Sequence, residues 1–245
     1  NILHDEENYT TLFTKEQAAG LPESYLSSAN ETAKEMGHPD QYAVSNTRSS
    51  MDPFLTYADN RELRKKVWTN YYSRGDNGGK YDNNDIVKKI LKLRDERVEL
   101  LGYQNYAQWR LQDRMAKTPE NAMDLLMKVW PAATAKVDEE VKAMQEIADA
   151  EGKNITIEPW DYRYYAEKVR QQKYQINSEE VKQYLALDQL TEALFYVAGR
   201  LFDFEFKEIK DGSVPVFHED VSVYEVNESK SGKNIGLFYL DPYAR

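Results

Sequence analysis

The chain has 245 residues, 41% of them hydrophobic, and its 32 Lys and Arg against 42 Asp and Glu give a formal net charge of -10. That length can bury a sizeable core, as one large domain or two modest ones, and an acidic balance without a dense Lys/Arg stripe disfavours a nucleic-acid partner. The lack of cysteine excludes disulfides, thiolate nucleophiles and thiolate zinc sites.

No apolar run approaches the ~18 residues of a membrane-spanning helix, and NILHDEENYT has neither the basic start nor the apolar core of a signal peptide. It also lacks an initiator Met, so the N-terminal end is expected to be cut. The location is read as cytoplasmic, with a periplasmic or exported one left open.

In chain order, Leu21, Tyr25, Ala29, Ala33 and Met36 recur at helical spacing, with Pro22 at the start and Gly37 and Pro39 beyond the end, which predicts a helix over 21–36. Residues 41–46 read as a short strand, and Met51-Asp52-Pro53 as a restart of the backbone. RELRKKVWTNYYSR places Leu63, Val67 and Tyr71 on one stripe, a second helix that ends in the Asn/Gly-rich turn 75–80.

The longest regular signal is 82–101, where Ile86, Ile90, Leu93, Arg97 and Leu100 trace one face and Gly102 caps the end. A short helix is predicted over 105–115. Another starts at Thr118-Pro119, with Thr as N-cap and Pro in the first turn, and runs to about Ala150, kinked or broken at Pro131. Glu158-Pro159-Trp160 opens a helix to about Lys173. Residues 177–199 read as one helix with Tyr184, Leu187, Leu190, Leu194 and Val197 inward, followed by a strand over 202–209 on the alternation of Phe202, Phe204 and Phe206.

From Phe217 to Arg245 the pattern is a hairpin: Val221, Val223 and Glu225, a polar turn at 229–233, then Ile235 to Leu240. A two-stranded ribbon alone is marginal, so further strands or a helical floor are expected beneath it. The fold class is therefore mainly α with a small antiparallel sheet near the C-terminus.

Few residues present themselves for chemistry. The three histidines, His4, His38 and His218, lie too far apart for an H-x-x-x-H zinc pair. Glu35-Met-Gly-His38 has E-x-x-H spacing at a fraying helix end, where a surface His is the simpler reading. Arg74-Gly75-Asp76 is the tripeptide that adhesion receptors read, and is better taken as a turn with Asp76 bonding its own backbone. Four N-x-[ST] sequons, at Asn8, Asn30, Asn154 and Asn227, matter only in a glycosylating compartment. Asp95, Glu96 and Glu99 alternate with Arg94 and Arg97, the pattern of a solvated salt-bridge face, as do Asp138, Glu139 and Glu140 beside their lysines. The 18 tyrosines suit a wet, peptide-lined cleft or half-buried helix packing equally well.

Blocks spread over the whole length carry a resemblance. Pro53-Phe-Leu-Thr-Tyr-Ala, Asn60-Arg-Glu-Leu-Arg, Ser73-Arg-Gly-Asp-Asn-Gly-Gly, Leu100-Leu-Gly-Tyr-Gln-Asn-Tyr-Ala, Glu158-Pro-Trp-Asp-Tyr-Arg-Tyr-Tyr, Val214-Pro-Val-Phe-His-Glu-Asp-Val and Gly236-Leu-Phe-Tyr-Leu-Asp-Pro-Tyr-Ala-Arg resemble the M3 (thimet oligopeptidase) family of zinc metallopeptidases, nearest to its peptidyl-dipeptidase branch. In that family a segment like GLFYLDPYAR precedes a helix bearing H-E-x-x-H, whose two His bind zinc while the Glu polarises the attacking water. The resemblance therefore implies an internal fragment of an M3 peptidase, with residues 1–80 a helical segment and 81–245 the first part of the catalytic domain.

It implies further that the parent hydrolyses oligopeptides with zinc, while the fragment has no catalytic residue and no metal ligand of its own, is inactive and binds no zinc. Family members line a deep channel whose floor is a small sheet with one edge able to take an extended peptide. On that basis His218, Asp220, Tyr239 and Tyr243 are the expected channel-lining residues, with a turn-holding role for His218 and Asp220 equally open. Surface exposed by truncation is expected to self-associate, and Arg245 fits a tryptic terminus or a designed end. The reading from another class is a stand-alone helical peptide-binding or adaptor module.

Overall fold

A computed structural model describes residues 1–243, with the side chains of Ser178 and Glu179 outside that description. The end of the hairpin block, including the trypsin-type Arg245, thus lies outside the described residues. The chain forms two compact units, Asn1–Ile176 and Asn177–Arg245. It is mainly α, with a small antiparallel sheet near the C-terminus, as the periodicities predict.

The first unit begins with helix α1 (Ile2–Asn8) and strand β1 (Thr11–Phe13), then α2 (Glu23–Glu35) and β2 (Tyr42–Val44). β1 and β2 pair antiparallel, Thr11 opposite Val44 and Phe13 opposite Tyr42. The strand expected at 41–46 thus finds its partner in a segment too short to show a period. α3 (Arg48–Tyr57) corrects the reading of Pro53 as a restart, because Pro53 sits inside this helix. Its missing N–H frees only the carbonyl of Ser49, which is exposed and can turn to water. Met51, Phe54 and Leu55 from α3 fill the core with Phe13, Ala29, Val44 and Val67, each large apolar side chain contributing about 1.5–3 kcal/mol on burial.

α4 (Arg61–Tyr72) is capped by Asn60, whose side chain accepts the Leu63 N–H at 3.1 Å. It buries Val67 and leans Leu63 and Tyr71 on the same core, as its stripe predicts. α5 (Asn84–Leu100) ends where Gly102, at φ +74°, turns the chain, and the Tyr103 N–H reaches back to the Val98 carbonyl. Its expected apolar face is not a buried one: Ile86, Ile90 and Leu93 are exposed and only Val98 is buried. The acidic residues of α5 lie in solvent, with Lys92 and Glu96 3.8 Å apart.

α6 (Tyr106–Leu111) leads to α7 (Pro119–Ala150), whose Thr118 cap and first-turn Pro are as predicted. Pro131 does not break α7, which continues through it as one helix. α8 (Tyr162–Tyr174) starts four residues later than expected, after a turn closed by the Asp161 N–H on the Glu158 carbonyl. Met144 and Ala148 of α7 and Tyr165 of α8 make a second small core.

In the second unit the single helix expected over 177–199 is divided into α9 (Ser178–Lys182) and α10 (Leu187–Phe202), separated where Ala186 takes an extended conformation. α10 covers the sheet of β3 (Phe204–Glu208), β4 (Ser222–Glu228) and β5 (Asn234–Leu240), ordered β3-β4-β5 and antiparallel throughout. The face that α10 turns to the sheet is centred on Phe195, stacked on Phe206 at 4.4 Å and edge-on to Tyr224 at 4.7 Å. Of the expected inward residues, Tyr184, Leu187, Leu190 and Val197 are exposed, while Leu194, though also partly exposed, lines a groove against the sheet. The aromatic residues of the sheet select the Phe195 face, and period alone does not show which apolar face finds a partner.

Candidate functional site

The sequence places its candidate residues in the second unit, at the mouth of the hairpin. Strand register sets them: Tyr224 opposes Phe238 and Val226 opposes Gly236 on the face toward α10, while Val223 opposes Tyr239 on the other face. Phe217 to Asp220 form the turn entering β4, closed by the Val221 N–H on the His218 carbonyl at 3.2 Å. Within it the Asp220 N–H donates to His218 Nδ1 at 3.3 Å, and the two side chains lie 3.4 Å apart. The structure therefore brings His218 and Asp220 together as a local brace. Both are about half exposed, as are Tyr239 and Tyr243.

Beneath α10 the sheet leaves a groove of about 390 Å³, walled by Leu194, Phe202, Phe206, Val226 and Phe238. Its lining is apolar and offers no titratable group to a reaction.

The first unit holds a constellation that sequence reading passed over. Asp161 has no exposed surface, and its carboxylate accepts hydrogen bonds from Arg61 Nε at 3.0 Å, Arg61 Nη2 at 2.7 Å and Arg64 Nη2 at 2.8 Å. Arg64 is itself 2% exposed and donates its other terminal nitrogen to the Ala58 carbonyl at 2.7 Å. Its guanidinium lies 4.1 Å from the centre of the Tyr164 ring. Burial alone would raise the Asp161 carboxyl, but the bonds and charges of Arg61 and Arg64 outweigh it and hold the group below the usual carboxylate range. Arg61 and Arg64 stand three apart on α4, which puts both on the side facing Asp161. That spacing was the available signal, yet the partner lies 97 residues away.

Around this knot opens a cleft of about 520 Å³. Tyr164 donates its hydroxyl to Asp59 at 2.7 Å, and Lys168 pairs with Glu151. Burial pushes the Tyr164 hydroxyl up, while for Lys168 the bonds to Glu151 and Tyr164 outweigh burial and raise it. The two acids lining the cleft, Asp59 and Glu151, are both engaged, so the arrangement serves to join α4, α7 and α8.

A third polar centre lies at Asp5, 2% exposed, which accepts the Gly75 N–H at 2.6 Å and the Asn77 side-chain amide at 2.9 Å. The Arg74-Gly75-Asp76 tripeptide is thereby absorbed into the fold: Arg74 pairs with Glu6, and Asp76 accepts from Asn84 at 2.7 Å rather than from its own backbone. Asn30, in one of the four sequons, spends its amide on the carbonyls of Pro39 and Gln41.

A structural or catalytic zinc site takes three or four N, O or S ligands. Among the described residues no three acidic or imidazole side chains converge on one point. His4 stacks on Tyr81, and His218 lies beside Asp220. Among the described residues, too, no helix is long and apolar enough to cross a membrane.

Comparison with known proteins bears on the whole chain. It is 32% identical to the dipeptidyl carboxypeptidase of Escherichia coli over 94% of its own length and 33% of the relative's. It is 35% identical to oligopeptidase A of the same organism over 100% of its length and 36% of the relative's, and 36% identical to the organellar oligopeptidase A of Arabidopsis thaliana over 100% and 32%. The chain thus spans about a third of the length of these relatives. Residues 54–245 match the family described as Peptidase family M3, and the chain belongs to that family.

Proposed function

We propose that this chain is the part of a zinc-dependent oligopeptidase that builds the wall and sheet floor of the substrate channel, in a protein that hydrolyses short peptides and releases dipeptides from their C-termini. The observation that carries the reading is family membership over residues 54–245 together with relatives named dipeptidyl carboxypeptidase and oligopeptidase A. Two activities are represented among those names, so cleavage within a short peptide is the second reading. The chain contains no H-E-x-x-H, and on this proposal it is inactive by itself, binds no stoichiometric zinc and works in the cytoplasm. At the domain level residues 1–80 form a helical lead-in and 81–245 the first part of the catalytic domain, whereas the compact units of the chain meet at Ile176 and Asn177.

His218, Asp220, Tyr239 and Tyr243 are proposed to face peptide along the channel, His218 and Asp220 by fixing the turn into β4. The test uses the full open reading frame that encodes this chain, assayed on blocked and free-ended oligopeptides. Chelator-sensitive release of C-terminal dipeptides is expected, with none from residues 1–245 alone. One zinc per 245-residue chain, or hydrolysis by it, refutes the proposal. A full-length protein without peptidase activity favours the adaptor reading instead.

A further inference from the structure

Asn77-Gly78 is the only Asn-Gly step in the chain. It is the pair at which a backbone nitrogen most readily reaches the preceding side-chain carbonyl, because glycine has no Cβ to obstruct the approach. It lies in the exposed turn between α4 and α5, with Gly78 at φ +68°. Both ends of the reacting pair are held by carboxylates. The amide nitrogen of Asn77 donates to the buried Asp5 at 2.9 Å, while its oxygen accepts the Gly79 N–H at 3.0 Å. The Gly78 N–H donates to Asp82 at 2.8 Å.

We propose that Asn77-Gly78 is a deamidation site whose rate is governed by these two carboxylates, Asp5 on the departing amide and Asp82 on the attacking nitrogen. In the reaction the Gly78 nitrogen gives its proton to solvent base and bonds to Asn77 Cγ. The Cγ–Nδ2 bond breaks, and Nδ2 takes up a proton and leaves as ammonia. Water then opens the five-membered imide at either carbonyl, giving aspartate or isoaspartate without change of oxidation state. Asp82 opposes the first step, because its negative charge beside the N–H disfavours the amide anion that must form. Asp5 opposes the rotation that would bring Cγ to the nitrogen.

The product is not silent in the fold. A carboxylate at position 77 replaces a donor to Asp5 with a like charge, beside a group that also holds the Gly75 N–H. Isoaspartate adds a methylene to the backbone of the same turn. Modification therefore loosens α1, which reaches this turn through Asp5 and through the pairing of Arg74 with Glu6. An uncorrected Asn77 acts as an ageing switch on the N-terminal helix.

The experiment incubates the 245-residue chain at mildly alkaline pH and follows residue 77 by peptide mapping that separates Asn, Asp and isoAsp. Conversion at 77 is expected to be several-fold slower in native buffer than for the same chain unfolded in urea, and several-fold faster in folded Asp82→Asn than in the unsubstituted chain. In a synthetic peptide of residues 73–85 the same substitution is expected to leave the rate unchanged. Absence of conversion at 77, equal rates in native buffer and urea, or an effect of Asp82→Asn as large in the peptide as in the chain each overturns the proposal. The urea comparison needs no variant to fold.

Discussion

Replacing Asp161 by Ala removes the buried carboxylate to which the Arg61 and Arg64 guanidinium groups both donate. Arg64 is 2% exposed, and it keeps its bonds to the Ala58 and Asp59 carbonyls and its contact with the Tyr164 ring. Arg61, with about a third of its side chain exposed, can turn outward. Breaking a buried pair by deleting one partner costs about 3–5 kcal/mol, because the other charge is left uncompensated. For a unit of this size each kcal/mol moves the midpoint by about 2–4 °C, so a fall of about 6–20 °C is expected. All four Trp lie before residue 177, so thermal unfolding followed by Trp fluorescence reports the first unit alone and avoids the two-unit problem. The double variant Asp161→Leu with Arg64→Met is expected to recover most of the loss, since apolar residues of similar volume often replace a buried ion pair without cost. A loss below about 1 kcal/mol for Asp161→Ala, the size of a surface pair, would show that the knot does not hold the helices together.

Several smaller tests follow from the same packing. Gly20→Ala puts a Cβ 2.2 Å from the Tyr57 carbonyl oxygen at φ +86° and is expected to cost more than the about 1–3 kcal/mol of backbone strain alone, read as a lowered urea midpoint. Phe195→Ala removes the ring stacked on Phe206 and, as Phe195 is only half-buried, is expected to cost about 2–3 kcal/mol, below the range for a fully buried ring; faster amide exchange in β3 and β4, with the first unit unchanged, is the readout. Exposed Leu190, Leu194 and Val197 predict concentration-dependent mass in light scattering, reduced by Leu194→Glu, and a clean monomer at high concentration contradicts this.

Much of the helical pattern is legible in local sequence. α2, α4 and α7 announce themselves through caps and spacing, and the polar run at 229–233 marks the turn of the hairpin between β4 and β5. The misses arise where a residue's surroundings, its tertiary partners or its exposure, override the local cue. Pro53 reads as a breaker, but α3 tolerates it because the carbonyl it strands belongs to an exposed residue. Arg64 reads as one charge among several on α4, and only Asp161, 97 positions on, makes it a core residue. His218 and Asp220 could be placed in one turn from sequence, but whether a peptide lies along them is a property of surfaces that spacing does not encode.

The acid limb of stability separates the Asp161 knot from the exposed ion pairs. The folded Asp161 carboxyl is held below its unfolded value of about 3.9. A depressed folded pKa contributes stability that is complete above the unfolded value and is lost as pH falls through the folded one. The first unit is therefore expected to keep its midpoint from neutral pH to about pH 5 and to lose part of it steadily below about pH 4. In Asp161→Asn that slope should flatten, because no proton is then taken up at this position on unfolding. Salt distinguishes the contributors: the exposed Lys92–Glu96 pair is screened, whereas the knot, shut away from ions, keeps its acid slope at high ionic strength. An Asp161→Asn chain whose midpoint falls with acid as steeply as the original would assign the acid limb to other carboxylates and leave the knot with a packing role only.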